Sequence, residues 1–304
     1  MRIVSLLPAG TEIVAALGCE TLLVGISHEC DYPASILQLP RVTRTPVDSS
    51  LSSARIDAQV RGIQAEGKPV IALQAGVLET LAPDLILTQD LCEVCAVADG
   101  EVYRLADTMS SPPEIVPLRA RDLGGVLEDI QTVGRAVGMV KAAEELVQNL
   151  ELKLRQVSED GLNHSGLEPK RRVLCIEWLD PLYFAGHWVP ELVHAAGGED
   201  VGARPGAHST QRSWSEVVRL KPDLLLVMLC GFGVNRSEEE LADVRDPEAV
   251  KLLTETETWI LDGNSYTSRP GPRVVDGAIR IRAALEAQEM DGLRRYPPTG
   301  ARSG

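Results

Sequence analysis

The sequence has few cationic residues for its length. Its 304 residues include 30 Lys and Arg against 44 Asp and Glu, which gives a formal net charge of −14 at pH 7. Because this charge repels phosphate backbones and anionic lipid headgroups, we expect neither nucleic acid nor a membrane surface as a partner. The hydrophobic fraction of 44% and the charged fraction of 24% are ordinary for globular proteins, so disordered and fibrous classes are excluded.

Long apolar runs are also lacking. The longest, from Leu224 to Val234, has about 11 residues and includes two glycines, whereas a membrane-spanning helix needs about 20. Pro8 and Glu12 interrupt the apolar stretch near the N-terminus, which does not fit a secretory signal. We therefore expect a cytoplasmic protein without membrane insertion, or a periplasmic one if a signal has been removed.

Familiar catalytic motifs are missing. The segment Gly25–Glu29 lacks the second glycine of a nucleophile elbow, and neither G-x-x-x-x-G-K-[ST] nor H-E-x-x-H occurs. We therefore assign no catalytic residue and expect binding rather than turnover. Six cysteines in a chain of this length, without an export signal, favour reduced thiols over a disulfide framework.

Strand-like and helical patterns alternate, which predicts the α/β class with parallel strands joined by crossovers. The predicted strands are Arg2–Leu6, Leu22–Ser27, Val70–Leu73, Leu85–Gln89, Ile115–Leu118, Arg172–Glu177, Leu224–Leu229 and Trp259–Leu261. Between the fifth and sixth strands the period is helical, and a long helix is predicted over about Val140–Glu159, followed by a loop over Gly161–Lys170. We predict an N-terminal lobe (residues 1–120), a helical spacer (121–160), a C-terminal lobe (171–290) and a frayed tail (291–304).

Three segments carry a family resemblance. They are SLLPAGTEIVAALG (Ser5–Gly18), LAPDLILTQ (Leu81–Gln89) and LKPDLLLV (Leu220–Val227). With the long spacer helix, the chain resembles the helical-backbone, or class III, substrate-binding proteins of ABC importers, and within them the cobalamin-binding-protein homologues. The resemblance covers Arg2 to about Ala287. It implies two lobes, each with a central parallel sheet flanked by helices, one long spacer helix joining them, and a ligand cleft between the lobes.

Aromatic residues are scarce, and most of them follow predicted strands. Only 11 occur, and seven of these lie just after a strand. Ligands of open α/β sheets bind beyond the carboxyl ends of the strands, and aromatic faces bury much area at little entropic cost. The pattern thus predicts a pocket for a large flat or apolar ligand, with Trp214 in the core instead. The candidate ligand-binding residues are Pro8, His28, Cys30, Tyr32, Cys92, Trp178, His187, Trp188, Phe232, Tyr266 and Arg269.

Thiol and imidazole groups occur at the same strand ends. Cys92 and Cys95 form a lone C-x-x-C, which fits a redox pair, half of a metal site or simple packing. If these side chains converge, a soft metal could be held by Cys30, Cys92, Cys95, Cys230, His28 and His187. Cys19 and Cys175 sit in helix and strand patterns and are expected to be buried.

Three functional interpretations follow. The first is a small-molecule binding protein whose ligand is a corrinoid such as cobalamin, or another large planar or metal-containing compound. The second is a cytoplasmic metal-binding protein or enzyme that uses the Cys and His residues of the cleft. The third is a transport component, in which Glu79 and Glu191, each early in a helix, dock to arginines of an ABC permease. Acidic residues at helix starts are equally explained by the helix dipole.

Overall fold

The computed structural model describes residues 1–89, 99–164 and 169–296. Contacts between residues divide the chain into two compact units. The first unit comprises Met1–Leu51, Arg55–Ala120 and Gly124–Asn149, and the second comprises Ser52–Ala54, Arg121–Leu123 and Leu150–Gly304. Each unit has its own sheet, so the α/β class and the two separate sheets predicted from the sequence are confirmed.

The first part of the chain forms a four-stranded parallel sheet with flanking helices. The strands of this part of the chain are β1 (Ile3–Ser5), β2 (Leu23–Ile26), β3 (Thr43–Arg44), β4 (Ala72–Leu73), β5 (Leu85–Gln89) and β6 (Glu114–Leu118), of which β3 and β4 form a separate two-stranded sheet. Its helices are α1 (Pro8–Ala16), α2 (Ser53–Ala65), α3 (Ala75–Leu81), α4 (Asp99–Thr108), α5 (Leu123–Ala136) and α6 (Val140–His164). The sheet order is β2-β1-β5-β6, with every pair parallel.

The central strands of this sheet are buried on both faces. Ile3, Val4, Ile86 and Leu87 are fully inaccessible to solvent, as expected for parallel strands covered by helices on either side. The predicted strand Val70–Leu73 lies outside this sheet, because its last two residues form β4 and pair antiparallel with β3. A two-residue strand carries too little pattern to show its partner in the sequence.

The long helix α6 has 25 residues and extends past the predicted end at Glu159. The polar stretch from Gly161 to His164, predicted as part of a loop, is helical. Gly161 is the only strong helix breaker there, and one glycine costs a helix only about 1 kcal/mol. The boundary between the two units falls within α6, between Asn149 and Leu150.

The second unit has a mixed sheet. Its strands are β7 (Arg172–Leu179), β8 (Leu182–Phe184), β9 (Glu199–Asp200), β10 (Thr210–Gln211), β11 (Leu224–Val227), β12 (Glu257–Leu261) and β13 (Leu293–Arg295). Its helices are α7 (Val189–Ala195), α8 (Trp214–Leu220), α9 (Val234–Ala242), α10 (Pro247–Glu255), α11 (Gly263–Tyr266) and α12 (Val274–Leu285). The order is β10-β8-β7-β11-β12-β13, and β9 also pairs with β7.

The central part of this second sheet is parallel, as expected for each lobe, and further strands that the sequence did not predict are added at its sides. The three predicted strands β7, β11 and β12 are parallel to one another. The unpredicted strands β8, β10 and β13 are antiparallel additions at the two sides. Parallel neighbours need long helical crossovers, whereas β8 follows β7 directly through a short turn.

The last described residues also differ from the sequence expectation. Leu293–Arg295, assigned to the tail, form β13 against β12, and the Tyr296 N–H donates to the Thr258 carbonyl at 2.9 Å. Leu293 and Tyr296 are only 2% and 4% exposed. Burial of these two apolar side chains outweighs the local glycine and proline content that suggested fraying. Within the described residues, no helix combines the length and apolar character that a membrane crossing requires.

Candidate ligand-binding site

Backbone hydrogen bonds join the end of β7 to the segment after β11, and that segment to the one after β12. The Cys230 N–H donates to the Glu177 carbonyl at 3.0 Å, and the Asn264 N–H donates to the Phe232 carbonyl at 3.2 Å. Because the three strands are parallel, their carboxyl ends lie at one edge of the sheet. This edge is where open α/β sheets bind ligands.

Three aromatic residues lie at this edge, and we call Trp178, Tyr183 and Phe232 the aromatic cluster. The ring centroids of Trp178 and Phe232 are 5.4 Å apart, with an interplanar angle of 53°. Tyr183 stands opposite Trp178 in the antiparallel pairing of β7 and β8, so both side chains lie on one face. The guanidinium carbon of Arg236 is 5.2 Å from the Phe232 centroid. Phe232 is only 6% exposed, so Trp178 is the more accessible ring of this pair, and Arg236 is itself paired with the carboxylates of Glu239 and Glu240.

Two histidines lie next to each other beyond β8. The ring centroids of His187 and His208 are 5.2 Å apart, and the ring planes are nearly perpendicular at 89°. His187 is half-buried and has a backbone φ of 55°, a left-handed conformation uncommon for residues other than glycine. Burial lowers the pKa of His187, with further lowering by His208 and Arg121. The imidazole of His187 is thus favoured in its neutral form.

The predicted residues Trp188, Tyr266 and Arg269 are tied into the unit by side-chain contacts. Trp188 is 5% exposed, and its indole N–H donates to the Thr267 carbonyl at 2.8 Å. The Arg280 guanidinium carbon lies 3.4 Å from the centroid of the Tyr266 ring. Arg269 donates to the side-chain oxygen of Asn264 at 2.7 Å. These contacts order the segment after β12. Trp214, expected in the core, is buried.

In the first unit, His28 is held by a hydroxyl cluster after β2. Its Nδ1 lies 2.7 Å from the Thr43 hydroxyl, which also accepts from the His28 backbone N–H at 2.9 Å. The Ser27 hydroxyl is 3.0 Å from the same Thr43 oxygen. Burial and the positive charge of Arg41 lower the pKa of His28. His28 is therefore favoured as a neutral, oriented imidazole.

The other predicted residues of the first unit differ in exposure. Pro8 is the first residue of α1, where its fixed φ suits the helix start. Cys30 is 2% exposed, and its sulfur lies 3.1 Å from the hydroxyl oxygen of Thr11. Tyr32 is 47% exposed. Of these three described residues, Tyr32 is the most exposed.

The predicted thiol site is not assembled within the described residues. Cys92 and Cys95 lie outside them, and the described part of the chain holds no group of three or more His, Cys, Asp or Glu side chains suited to a metal ion. Cys230 is exposed, whereas Cys19 and Cys175 are buried as predicted. Burial, followed by the neighbouring Asp200, raises the pKa of Cys175 well above its usual value, so this thiol is inert.

The two acidic docking candidates occupy different environments. Glu79 is exposed but lies in the last turn of α3, not early in its helix, because the helix begins at Ala75. Glu191 lies in the first turn of α7 as predicted. Its carboxylate accepts from the Leu123 backbone N–H at 2.7 Å, and burial raises its pKa.

A surface cavity of about 520 Å³ lies beside the start of α9, and no predicted ligand residue lines it. Its lining residues are Gly233, Val234, Asn235, Arg236, Asp262, Met290, Asp291, Gly292, Leu293 and Arg294. Arg236 is the residue that this cavity shares with the contacts of the aromatic cluster.

Sequence reasoning missed the partners that orient these side chains. Thr43 beside His28, His208 beside His187 and Arg236 beside Phe232 were not selected. Arg236 lies one helical turn after Phe232, so sequence spacing could have suggested it. Thr43 and His208 belong to segments that only strand pairing brings close, and no local pattern marks them.

Known proteins of similar sequence extend across most of the chain. The model of a family described as periplasmic binding protein matches residues 78–253, more than half of the chain. An uncharacterized ABC transporter substrate-binding lipoprotein of Bacillus subtilis is 23% identical, covering 93% of this chain and 79% of the relative. The vitamin B12-binding protein of Vibrio cholerae is also 23% identical, covering 94% of this chain and 89% of its own length.

Solved structures share the fold at lower identity. A periplasmic heme-binding protein from Pseudomonas aeruginosa superimposes with a TM-score of 0.76 at 19% identity, over 100% of this chain and 99% of the other. The periplasmic vitamin B12-binding protein of Vibrio cholerae has a TM-score of 0.66 at 19% identity, over 94% and 96% of the two chains. These relatives are named as periplasmic proteins or lipoproteins, so the comparisons do not support the expected cytoplasmic location.

Proposed function

The chain belongs to the periplasmic binding protein family, and from this premise we propose that it binds a corrinoid such as cobalamin for an ABC importer. The family resemblance inferred from the sequence is thereby confirmed, and the family implies a small-molecule ligand and an ABC permease as partner. Its named relatives are substrate-binding proteins. We propose that this chain likewise binds its small-molecule ligand without converting it chemically.

The aromatic cluster is the observation that supports a large flat ligand. Trp178 is half-buried at the strand edge where such folds bind ligands, and the ring of Phe232, only 6% exposed, packs against it at 5.4 Å between centroids. Arg236 lies over the Phe232 ring and is paired with the carboxylates of Glu239 and Glu240 at 3.3 and 3.1 Å. The Vibrio cholerae relative named as a vitamin B12-binding protein favours a corrinoid over other flat compounds. The location of the ligand in a cleft between the lobes stays a prediction.

Haem is the second candidate ligand. The Pseudomonas aeruginosa heme-binding protein matches the full length of this chain with a TM-score of 0.76. The same aromatic cluster would pack a porphyrin face as well as a corrin face, because ring stacking does not distinguish the two macrocycles.

A thermal-shift screen with cyanocobalamin, hemin and a ferric siderophore tests the ligand class. A ligand at about 100 times its dissociation constant stabilises the native state by roughly 2.7 kcal/mol, which a melt resolves. We expect cyanocobalamin to raise the melting temperature. A rise with hemin alone would replace the corrinoid by haem, and a rise with neither macrocycle would contradict a tetrapyrrole-like ligand.

A single aromatic substitution tests the place of binding. We expect Trp178→Ala to lower the affinity for the ligand identified in this screen by roughly tenfold or more. One aromatic contact is worth about 0.5–1.5 kcal/mol beyond its buried area. Tyr103→Ala, which removes an exposed aromatic on α4, is the matched control and should leave affinity unchanged. Equal affinity in the two variants would show that the aromatic cluster is not the binding surface.

For the permease partner, we propose Glu79 and Glu191 as docking residues. Glu79 is the better docking candidate of the two, because its side chain is exposed on α3. The carboxylate of Glu191 already accepts a backbone hydrogen bond at 2.7 Å. In a reconstituted uptake assay, Glu79→Arg should reduce transport while ligand affinity stays constant. Unchanged transport by this variant would exclude Glu79 from docking.

A further inference from the structure

Two backbone segments of the second unit are fastened together on either side of two histidines. The His187 N–H donates to the Ala207 carbonyl at 2.6 Å, and the Gly206 N–H donates to the His187 carbonyl at 2.9 Å. The Gly186 N–H donates to the Ser209 hydroxyl at 3.1 Å. His187 and His208 are thus carried by segments whose relative position is fixed by three hydrogen bonds.

The close approach of these segments requires a glycine. A Cβ at residue 186 would lie against the Ala207 carbonyl oxygen and 2.7 Å from the His208 carbonyl carbon, distances that real side chains essentially never show. His187 itself adopts a φ of 55°. Unfavourable conformations of this kind persist where the surrounding structure enforces them, and they cluster at functional sites.

The ring of His187 has an unused nitrogen. Its Nδ1 is buried and has no hydrogen-bond partner among the described residues. Buried polar atoms of native proteins are nearly always paired, so an orphaned imidazole nitrogen calls for a ligand that it can meet. An imidazole nitrogen with an open lone pair is a preferred ligand of zinc, nickel and copper ions.

The spacing of the two rings matches shared coordination. Two imidazoles bound to one tetrahedral ion at about 2.0–2.1 Å from each nitrogen place their ring centroids roughly 5 Å apart. The centroids of His187 and His208 are 5.2 Å apart, with ring planes at 89°. We propose that His187 and His208 form a two-imidazole site for a divalent transition-metal ion such as Ni²⁺, Zn²⁺ or Cu²⁺, independent of the ligand proposed above.

The surroundings set the expected strength of this site. Arg121 is close enough to act on His187, and the Asp122 carboxylate lies 4.0 Å from the place of a Cβ on Gly206. The positive charge of Arg121 opposes a cation beside His187, so imidazole coordination must supply the affinity. The described residues offer no third side chain of the metal-binding kind, which leaves the remaining coordination positions to water. We therefore expect moderate rather than tight binding.

Calorimetric titration of the untagged full chain with NiCl₂ tests the site. A Cys92→Ser/Cys95→Ser parent removes two thiols that would compete for the ion. We expect one Ni²⁺ per chain, with affinity lowered roughly tenfold or more by His208→Gln and by His187→Asn. Asn is chosen at position 187 because it tolerates a positive φ. His194→Gln, which removes an exposed histidine of α7, is the matched control and should bind like the parent.

The result can overturn the proposal in two ways. Absence of Ni²⁺ binding by the parent would reduce the pair to a packing contact between two rings. Equal affinity of His208→Gln and the parent would place the ion elsewhere in the chain. Because His208 is exposed, His208→Gln leaves the fold intact, which far-ultraviolet circular dichroism checks. Corrinoid or haem binding by His208→Gln is measured separately, so the two proposals fail independently.

Discussion

Gly186→Ala should destabilise the second unit, because the added methyl group has no room. It would stand 2.7 Å from both the His208 carbonyl carbon and the Ser209 nitrogen, and these are backbone atoms that cannot swing aside. The segments at Gly186 and Ala207–Ser209 must therefore separate. Overpacking of this kind costs about 1–3 kcal/mol.

The separation also strains the three hydrogen bonds that join these segments. Each has a donor–acceptor distance between 2.6 and 3.1 Å, and a typical one contributes about 0.5–1.5 kcal/mol net. Since the bonds lengthen rather than vanish, we expect a total loss of about 2–4 kcal/mol in the free energy of unfolding. The ring spacing of His187 and His208 should widen as well, which would weaken Ni²⁺ binding.

Urea unfolding followed by tryptophan fluorescence measures this loss, since all four tryptophans lie in the second unit. Gly233→Ala is the matched control in the same unit. Its φ is −81°, and the nearest atom to its new Cβ is the Asp262 carboxylate at 3.8 Å, an ordinary contact. We expect the control to cost less than about 1 kcal/mol, the preference of a helix N-cap for Gly over Ala. Equal stability of Gly186→Ala and wild type would refute the close-approach argument.

Three further predictions concern stability. Burial raises the pKa of Asp200 from 3.8 to about 6, so the folded protein keeps this carboxyl protonated to a higher pH than the unfolded chain does. The resulting stabilisation is present below about pH 4 and is lost as the pH rises through 6. Relative to Asp200→Asn, wild type should lose roughly 2 kcal/mol of unfolding free energy between pH 4 and 6. Parallel pH profiles of the two proteins would contradict this. Arg280 is 8% exposed and stacks on Tyr266. Arg280→Met should therefore lower the free energy of unfolding, measured in urea, by about 2–4 kcal/mol. An unchanged free energy of unfolding would argue against the stacking. Asp246 accepts hydrogen bonds from two backbone N–H groups at the start of α10. In thermal unfolding, Asp246→Ala should lower stability by about 1 kcal/mol, whereas Asp246→Asn should keep wild-type stability. An equal loss in both variants would exclude a capping role.

Elements with a strong local pattern were predictable. The strand Leu85–Gln89 has the predicted bounds, and the helix predicted over about Val140–Glu159 is α6. Each is long enough for its apolar residues to show a period within one window of sequence. The burial of Cys19 and Cys175 followed from the same patterns.

Elements that depend on distant partners were not predictable. The strands β3, β8, β10 and β13 have only two or three residues each, too few for a period, and they exist because a neighbouring strand pairs with them. β13 was assigned to the tail, although Leu293 is buried against the sheet. Local composition indicates how flexible an isolated segment is, but it does not show whether a distant strand pairs with that segment and orders it.

The candidate site divides along the same line. The sequence by itself predicted that aromatic and imidazole groups lie at or just after the ends of strands, as Trp178, His187 and Phe232 do, and their role in ligand binding stays a proposal. Only the tertiary structure decided that Trp188 is buried and donates a hydrogen bond to the Thr267 carbonyl, and that the ring centroids of His208 and His187 lie 5.2 Å apart. The physical reason is that periodicity reports which face of an element is buried, whereas strand register and backbone hydrogen bonds between distant segments decide which side chains meet.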